Sequence, residues 1–441
     1  MKPKNDKKIL RSWMFFDWAN SAYNLVITST IFPAYYTILT SDKDVKTIDY
    51  VNFMGGRFIN SVLYNYALAF AFLVIALLSP ILSSIADTRG NKKVFMQIFT
   101  YLGALSCCGL YLFEIDTLQL SVVLFMMAAI GYWGSLVFYN AYLPEIATLD
   151  TQDSVSAKGY AYGYIGSIIL QLICFVFVFF PSLFGLSGEA QASRLSFLLV
   201  GIWWMLFAQI PFRNLPKGSA DPQKARANWL TGGFSELKKV WRQLQHMPYL
   251  KRFLTAFFFY SMGVQTVMLV ATIFGEKQLH LPTSKLIATI LLLQFVAIPG
   301  AILMSWLSRR YFGNVKVLIG VVIIWIACCA GAYYTTTEIQ FYCLAATVGL
   351  IMGGIQSMSR STYSKFLPQE SADHTSFFSF YDVTEKVALV IGMFSFGYIE
   401  EFTGSMQKSL IALASFFVVG LIFLLLLRKV EPDTVAAPST I

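Results

Sequence analysis

The sequence predicts an all-α integral membrane protein in which twelve helices span the bilayer and both termini lie in the cytoplasm. Three observations support this prediction. Hydrophobic residues make up 56% of the 441 residues and charged residues only 13%, against about 45–50% and about 25% in soluble domains. Twelve apolar runs are long enough for spans, which need about 20 residues. Lysine and arginine are concentrated in alternate connections, as in cytoplasmic loops.

Most connections between the predicted spans are short, and the two long ones are 39–61 and 213–251. With a cytoplasmic N-terminus, the inner connections hold 25 of the 33 lysines and arginines and the outer connections hold 7. This bias explains the net charge of +9 without a nucleic-acid partner. The predicted spans are 13–38, 62–86, 94–114, 118–142, 159–184, 194–212, 252–274, 285–307, 316–336, 340–363, 376–400 and 407–427.

The polar segment 213–251 divides the spans into two sets of six. We therefore expect one six-helix bundle at 1–212, a cytoplasmic linker at 213–251, a second six-helix bundle at 252–428 and a flexible tail at 429–441. Within the linker, apolar residues recur at helical spacing between basic ones, which predicts an amphipathic helix on the membrane face. A solvated linker helix is the alternative. The apolar residues are Phe234, Leu237, Trp241 and Leu244.

The connection after the second span carries a patterned loop at 87–93. Its Gly90-Asn91-x-Lys93 recurs as Gly313-Asn314-x-Lys316 in the corresponding connection of the second half, which indicates two related halves. The loop resembles the signature loop of the major facilitator superfamily (MFS), and its matching residues are Asp87, Gly90, Lys92 and Lys93. Glycine allows the tight turn. The aspartate can cap a helix or pair with a basic neighbour, and we expect the lysines to hold the loop on the inner face.

The first span carries a polar stripe on one helical face, at i, i+3, i+4, i+7 and i+11. A carboxylate inside a membrane helix costs at least ~2.5–3.5 kcal/mol, so this face is expected to line a cavity. A structural seam of hydrogen bonds between helices is the alternative. The stripe consists of Asp17, Asn20, Ser21, Asn24 and Thr28.

Ionisable residues also lie inside the eleventh span, where Asp382 and Lys386 are spaced to pair at i, i+4. Glu385 leaves this cluster with one surplus negative charge. Arg360, in the tenth span, is the candidate counter-ion for the surplus carboxylates. Either a gate or proton carrier, or a purely structural ion-pair seam, fits these residues.

Enzymatic chemistry has little support in the sequence. There is no HExxH, no G-x-S-x-G and no phosphate-binding loop, and the six cysteines lie in apolar runs without a CxxC. We therefore expect that the protein has no cofactor and no metal site and that it is not an enzyme.

Longer motifs resemble the vacuole effluxer family of the MFS. They are Trp13 with 17–23, then 139–145, 163–166, 354–361 and 377–386. The resemblance implies the major facilitator fold, with a central cavity lined by spans 1, 4, 7 and 10 and with span 11 between the bundles. The cavity residues would then be Asp17, Asn20, Ser21, Asn24, Asn140, Gln265, Gln356 and Arg360. The residues for gating or proton coupling would be Asp17, Arg360, Asp382, Glu385 and Lys386.

Fungal members of that family release amino acids from the vacuole, and the mixed amide and charged residues suit a zwitterion. We therefore expect a secondary transporter for a small polar solute, in the first place an amino acid. A drug or sugar carrier, and a scaffold or sensor without transport, are the alternatives. The expected partners are the bilayer, the solute and, as a candidate coupling ion, the proton. A monomer in a bacterial inner membrane is the expected setting, because the termini and loops are short.

Overall fold

Long helices make up nearly all of the part of the chain that the computed structural model describes, which is residues 3–41, 49–218, 238, 240–368 and 373–428. In the first half the helices are α1 (Lys7–Tyr23), α2 (Ile31–Thr40), α3 (Asn60–Arg89), α4 (Lys92–Gly109), α5 (Leu118–Asn140), α6 (Leu143–Ile146), α7 (Gln152–Phe179) and α8 (Glu189–Asn214). In the second half they are α9 (Pro248–Leu279), α10 (Thr283–Leu307), α11 (Asn314–Tyr334), α12 (Glu338–Phe366), α13 (His374–Thr403) and α14 (Met406–Arg428).

Among the described residues, ten helices are long and apolar enough to cross a membrane: α3, α4, α5, α7, α8, α9, α10, α11, α12 and α14. The other two predicted spans form α1 with α2, and α13. The first is divided by a π-helix into helices of 17 and 10 residues, each too short to count as a span. Helix α13 carries buried charged residues, such as Lys386, which lower its hydropathy. The count of twelve spans and the cytoplasmic position of the termini stay predictions.

The helices of each half pack mainly on one another. In the first half α1 lies against α7 and α8, and in the second half α10 lies against α12 and α9 against α14. The two halves meet where α3 contacts α13 and where α7 contacts α10 and α12. Residues on these helices are therefore placed to join the halves.

Two local features were not predicted. The connection 39–61 contains an antiparallel hairpin of β1 (Tyr50–Phe53) and β2 (Gly56–Ile59), whose turn places Gly55 at a φ of +82°. The first predicted span is also not one regular helix, because a π-helix at Asn24–Thr30 separates α1 from α2. Hydroxyls support these wide turns: Ser29 donates to the carbonyl of residue 24, and Thr30 donates to that of residue 25.

Much of the predicted linker helix, including Phe234 and Leu237, lies outside the described residues, as does the predicted tail at 429–441. The described stretch 240–245 is helical. Leu244 is buried there, whereas Trp241 is half exposed and lies 6.2 Å from the ring of Phe380 on α13. This stretch therefore packs against the second half of the protein.

Candidate functional site

The predicted signature loop joins the two halves of the molecule. Gly90 ends α3 in the left-handed region, with a φ of 64°. Asp87, one turn before it, accepts hydrogen bonds from the backbone N–H groups of Thr375 (3.2 Å) and Ser376 (2.8 Å), and from the Ser376 hydroxyl (2.7 Å). Those N–H groups belong to the first turn of α13, where they have no partner within the helix. Asp87 thus caps a helix of the opposite half, and we call this end of the molecule the signature-loop end.

The two lysines of the loop are held by neighbouring elements. Lys92 is buried, forms an ion pair with Glu145 and lies 4.2 Å from the ring centre of Tyr142. Lys93 donates a 2.9 Å hydrogen bond to the carbonyl of Leu215. Both lysines thus tie the loop to neighbouring elements of the first half, and their position on the inner face of the membrane stays a prediction.

A second cluster joins the halves at the repeat of the loop. Asn314 donates to Asp153 Oδ1 of α7 over 2.7 Å, and Lys365 of α12 pairs with Asp153 Oδ2 at 2.6 Å. Lys365 also donates to Asn314 Oδ1 over 3.1 Å. Asn314 belongs to the recurring pattern in the sequence, whereas Asp153 and Lys365 were not predicted. The repeated Gly-Asn pattern was the available signal, but it does not indicate which residues of the other half face it.

The centre of the candidate site is a buried ion pair between the halves. Asp17 of α1 and Arg360 of α12 are 5% and 2% exposed, and the guanidinium nitrogens Nη1 and Nη2 lie 3.3 and 3.2 Å from Asp17 Oδ2. Tyr139 donates to the same oxygen over 2.7 Å. Arg360 also donates to Asn140 Oδ1 (3.3 Å), the Ser156 hydroxyl (3.0 Å) and the Ser156 carbonyl (2.9 Å).

Aromatic rings surround the guanidinium of Arg360. It lies 4.7 Å from the ring centre of Trp13, 5.5 Å from that of Tyr139 and 4.2 Å from that of Tyr160, distances at which a cation is attracted to a ring face. Arg360 was expected to neutralise the surplus carboxylates, including those of Asp382 and Glu385 on α13. Instead its carboxylate partner is Asp17, because α1 and α12 both pack on α7 and the two side chains meet beside Gly159 of α7.

The rest of the polar stripe on the first span points elsewhere. Asn20 is fully buried and accepts a 3.3 Å hydrogen bond from Ser21. Ser21 lies against Gly163 of α7, where a Cβ would meet its hydroxyl. At Asn24 the chain enters the π-helix, whose wider turns end the i, i+3, i+4 alignment. The five-residue stripe is therefore not continuous.

The predicted pair on α13 is present. Lys386 Nζ lies 3.0 Å from Asp382 Oδ1 and 3.4 Å from Glu385 Oε2. The same ammonium lies 3.7 Å from the ring centre of Trp133, a residue of the first half. Gln265 of α9 donates to Glu385 Oε1 over 2.9 Å. We call Asp382, Glu385 and Lys386 the α13 cluster.

A small cavity with a volume of about 20 Å³ lies between the ion pair and the α13 cluster. Four aromatic rings form much of its wall: Tyr160, Phe257, Tyr260 and Tyr381. Its polar lining includes Ser261, Gln265, Gln356, Ser359 and Glu385. Of the predicted cavity residues, Gln265 and Gln356 line it. Arg360 lies on the ring of Tyr160 and does not line the cavity. The other predicted cavity residues are also absent from the described lining: Asp17, Asn20, Ser21, Asn24 and Asn140.

The family of the chain follows from a match over nearly its full length. The sequence profile of the family described as "Vacuole effluxer Atg22 like" matches residues 5–433. The chain belongs to this Atg22-like family. Among described residues of this family member, no three histidine, cysteine, aspartate or glutamate side chains are grouped to hold a metal.

Relatives of this Atg22-like protein occur in bacteria and fungi. The uncharacterized MFS-type transporter YxiO of Bacillus subtilis is 30% identical over 414 residues, which are 94% of this chain and 93% of the relative. Autophagy-related protein 22 of Kluyveromyces lactis is 24% identical over 469 residues, which cover 95% of this chain and 93% of the relative.

Solved MFS transporters share the fold. The proton:xylose symporter XylE superposes with a TM-score of 0.71 at 11% identity, covering 97% of this chain and 96% of its own. FucP in the outward conformation gives a TM-score of 0.65 at 16% identity, covering 96% and 99%. The Atg22-like protein is therefore a multi-pass membrane protein with the major facilitator fold. It is an MFS-type transporter, and proteins of that superfamily are not enzymes.

Proposed function

We propose that this MFS-type transporter moves an amino acid across the membrane by alternating access and couples this movement to protons. The observation that carries the proposal is the buried Asp17–Arg360 ion pair, which joins the two halves beside a polar cavity. Alternating access requires contacts between halves that form and break at one end. A charged pair that is buried in one state and separated in the other meets this requirement.

The direction of movement follows from the orientation that the charge bias predicts. It places the signature-loop end in the cytoplasm, so the halves are joined on the cytoplasmic side by Asp17–Arg360, Asp87 and Asp153. A solute would then enter from the outer side and leave when these contacts break. Reporter fusions test the orientation: fusions at position 90 should report the cytoplasm and fusions at position 50 the outside. The reverse result would invert the proposed direction.

Asp17 is the proposed proton carrier. While the halves are joined, Asp17 accepts hydrogen bonds from two guanidinium nitrogens and from the Tyr139 hydroxyl. When the halves separate, it loses the positive partner and meets water, and both changes alter its affinity for a proton. Glu385 is the second candidate, because it is the acid left over in the α13 cluster. The relative from Bacillus subtilis supports a bacterial cell membrane as the location.

The test is uptake of labelled amino acids into proteoliposomes with an imposed pH gradient, normalised to folded protein. We expect Asp17→Asn to keep exchange of internal for external solute but to lose accumulation. Asp116→Asn is the matched control, because Asp116 is exposed and distant from the cavity. Wild-type accumulation by Asp17→Asn would remove Asp17 from coupling, and uptake without internal acidification would remove the proton.

A transporter of organic cations is the second candidate. The observation that favours it is the cavity itself, since aromatic walls with a single acid are typical of sites that bind such molecules. In the same proteoliposomes, exchange of amines but of no amino acid would select this function.

A further inference from the structure

The charge on the cavity wall indicates which group of a solute the cavity can bind. Among the described lining residues, Glu385 is charged and none is a cation. The side chain of Glu385 is 22% exposed, against 9% for Asp382 and 3% for Lys386. The carboxylate of Glu385 is thus the charged group of the α13 cluster that reaches open space.

The neighbouring charges leave Glu385 without full compensation. Asp17 and Arg360 neutralise each other in a separate pair. Within the α13 cluster, one ammonium faces two carboxylates, so one negative charge is in excess. Lys386 lies closer to Asp382, at 3.0 Å, than to Glu385, at 3.4 Å. The second oxygen of Asp382 is buried and has no hydrogen-bond partner among the described residues. No described donor at this oxygen therefore compensates the excess negative charge of the cluster.

The obvious cation for a substrate carboxylate is not available in this conformation. Arg360 donates to Asp17, Asn140 and Ser156. The ring of Tyr160 lies 4.2 Å from the guanidinium and also forms part of the cavity wall. Tyr160 therefore separates the guanidinium from the cavity, and an anionic group inside the cavity would meet Glu385 without a cation to offset it.

We propose that Glu385 binds the ammonium group of the transported solute, so that recognition in this state depends on the amine and not on a carboxylate. Gln265 positions the acid by donating to its Oε1 over 2.9 Å. Tyr160, Phe257 and Tyr381 supply ring faces, which attract cations, and apolar wall for the rest of the molecule. The ammonium would balance the surplus negative charge. This inference rests on the proposed transport of an amino acid.

The test is binding by isothermal titration to the purified full-length protein, with four probes that separate the two charged groups. They are phenylalanine, phenylalaninamide, phenethylamine and N-acetylphenylalanine, of which the last lacks a cationic amine. We expect the first three to bind and N-acetylphenylalanine not to bind. Glu385→Gln should weaken binding of the amines by about tenfold or more, as for loss of a hydrogen bond to a charged group.

Glu401→Gln is the matched control, since it makes the same change at an exposed position of the same helix. Thermal melting shows whether each variant is folded. If Glu385→Gln does not fold, Glu385→Asp decides, because it keeps the charge and shortens the reach: weaker amine binding at unchanged melting supports the inference, and unchanged binding overturns it.

The outcomes separate this inference from the proposed function. Unchanged amine affinity in folded Glu385→Gln, tight binding of N-acetylphenylalanine, or no binding of any probe would overturn the role of Glu385, whether or not amino acids are transported. Amine binding that depends on Glu385, in a protein that transports no amino acid, would leave the inference standing and reject the proposed substrate.

Discussion

The Asp17–Arg360 pair is buried, as are Asp382 and Lys386 of the α13 cluster, but the pair and the cluster are built in opposite ways. The pair joins residues 343 positions apart on two halves and is neutral. The cluster lies within five residues of one helix and has one negative charge in excess. A contact between halves can report which state the transporter is in, because moving the halves breaks it. A cluster on one helix keeps its charges together in every state, which suits binding of a ligand.

The largest expected effect breaks the long-range pair. Asp17→Asn leaves Arg360 buried with no anion, and a guanidinium cannot lose its proton to escape the cost. We expect a loss of roughly 3–5 kcal/mol of stability. Arg360→Met should cost less, because Asp17 can take up a proton. Thermal melting of both variants and of the double variant measures this, and the double variant should recover stability. Equal melting of the two single variants would contradict the asymmetry.

The α13 cluster should tolerate the corresponding change better. Asp382→Ala removes the nearer acid, but Lys386 keeps Glu385 and the ring of Trp133. The expected loss is about 1.5–3 kcal/mol, as for one hydrogen bond to a charged group. Adding Lys386→Met should recover part of it. If Asp382→Ala, Lys386→Met and their combination all melt like the wild type, the two residues do not interact.

The smallest expected effect comes from removing the Ser156 hydroxyl, which helps to hold Arg360 in place. Ser156→Ala removes a hydroxyl that accepts from Arg360 Nε and donates to the Ser357 carbonyl, while the Ser156 carbonyl and Asp17 still hold the guanidinium. We expect thermal melting to show a loss of about 1–2 kcal/mol of stability. Ser261→Ala, in the cavity wall, is the comparison for loss of a buried hydroxyl. A Ser156→Ala loss equal to that of Asp17→Asn would mean that the serine, and not the acid, holds Arg360.

The same contrast explains what could be predicted from the sequence. Asp382 and Lys386 were predicted to pair because helical geometry alone brings i and i+4 together, and the pair is present. Which acid faces Arg360 depends on how α1 and α12 cross, and spacing along the chain contains no such information. Asp153 and Lys365 were missed for the same reason.

The overall fold could be predicted from the sequence, but features that depend on single turns could not. Hydropathy and the charge bias indicated twelve spans, of which ten are long and apolar enough among the described residues. The signature motifs indicated the superfamily, which the family match, the relatives and the fold confirm. The hairpin at Tyr50–Ile59 and the π-helix at Asn24–Thr30 depend on single turns. Three-residue and four-residue periodicity cannot reveal a turn that holds an extra residue.

That π-helix has a consequence for how the first span can move. Each of its turns stores extra chain relative to an α-helix, in which one residue corresponds to about 100° of rotation and about 1.5 Å of rise. If one π-helical turn became α-helical, Ile31–Thr40 would rotate by about 100° and shift by about 1.5 Å along its axis. Lys7–Tyr23 would stay against its neighbours. Two side-chain hydrogen bonds stabilise the π-helical conformation: Tyr64 donates to the carbonyl of Thr28, and Thr30 donates to Gln171. A change in the winding of the π-helix would therefore rotate Ile31–Thr40 and leave Asp17 in place.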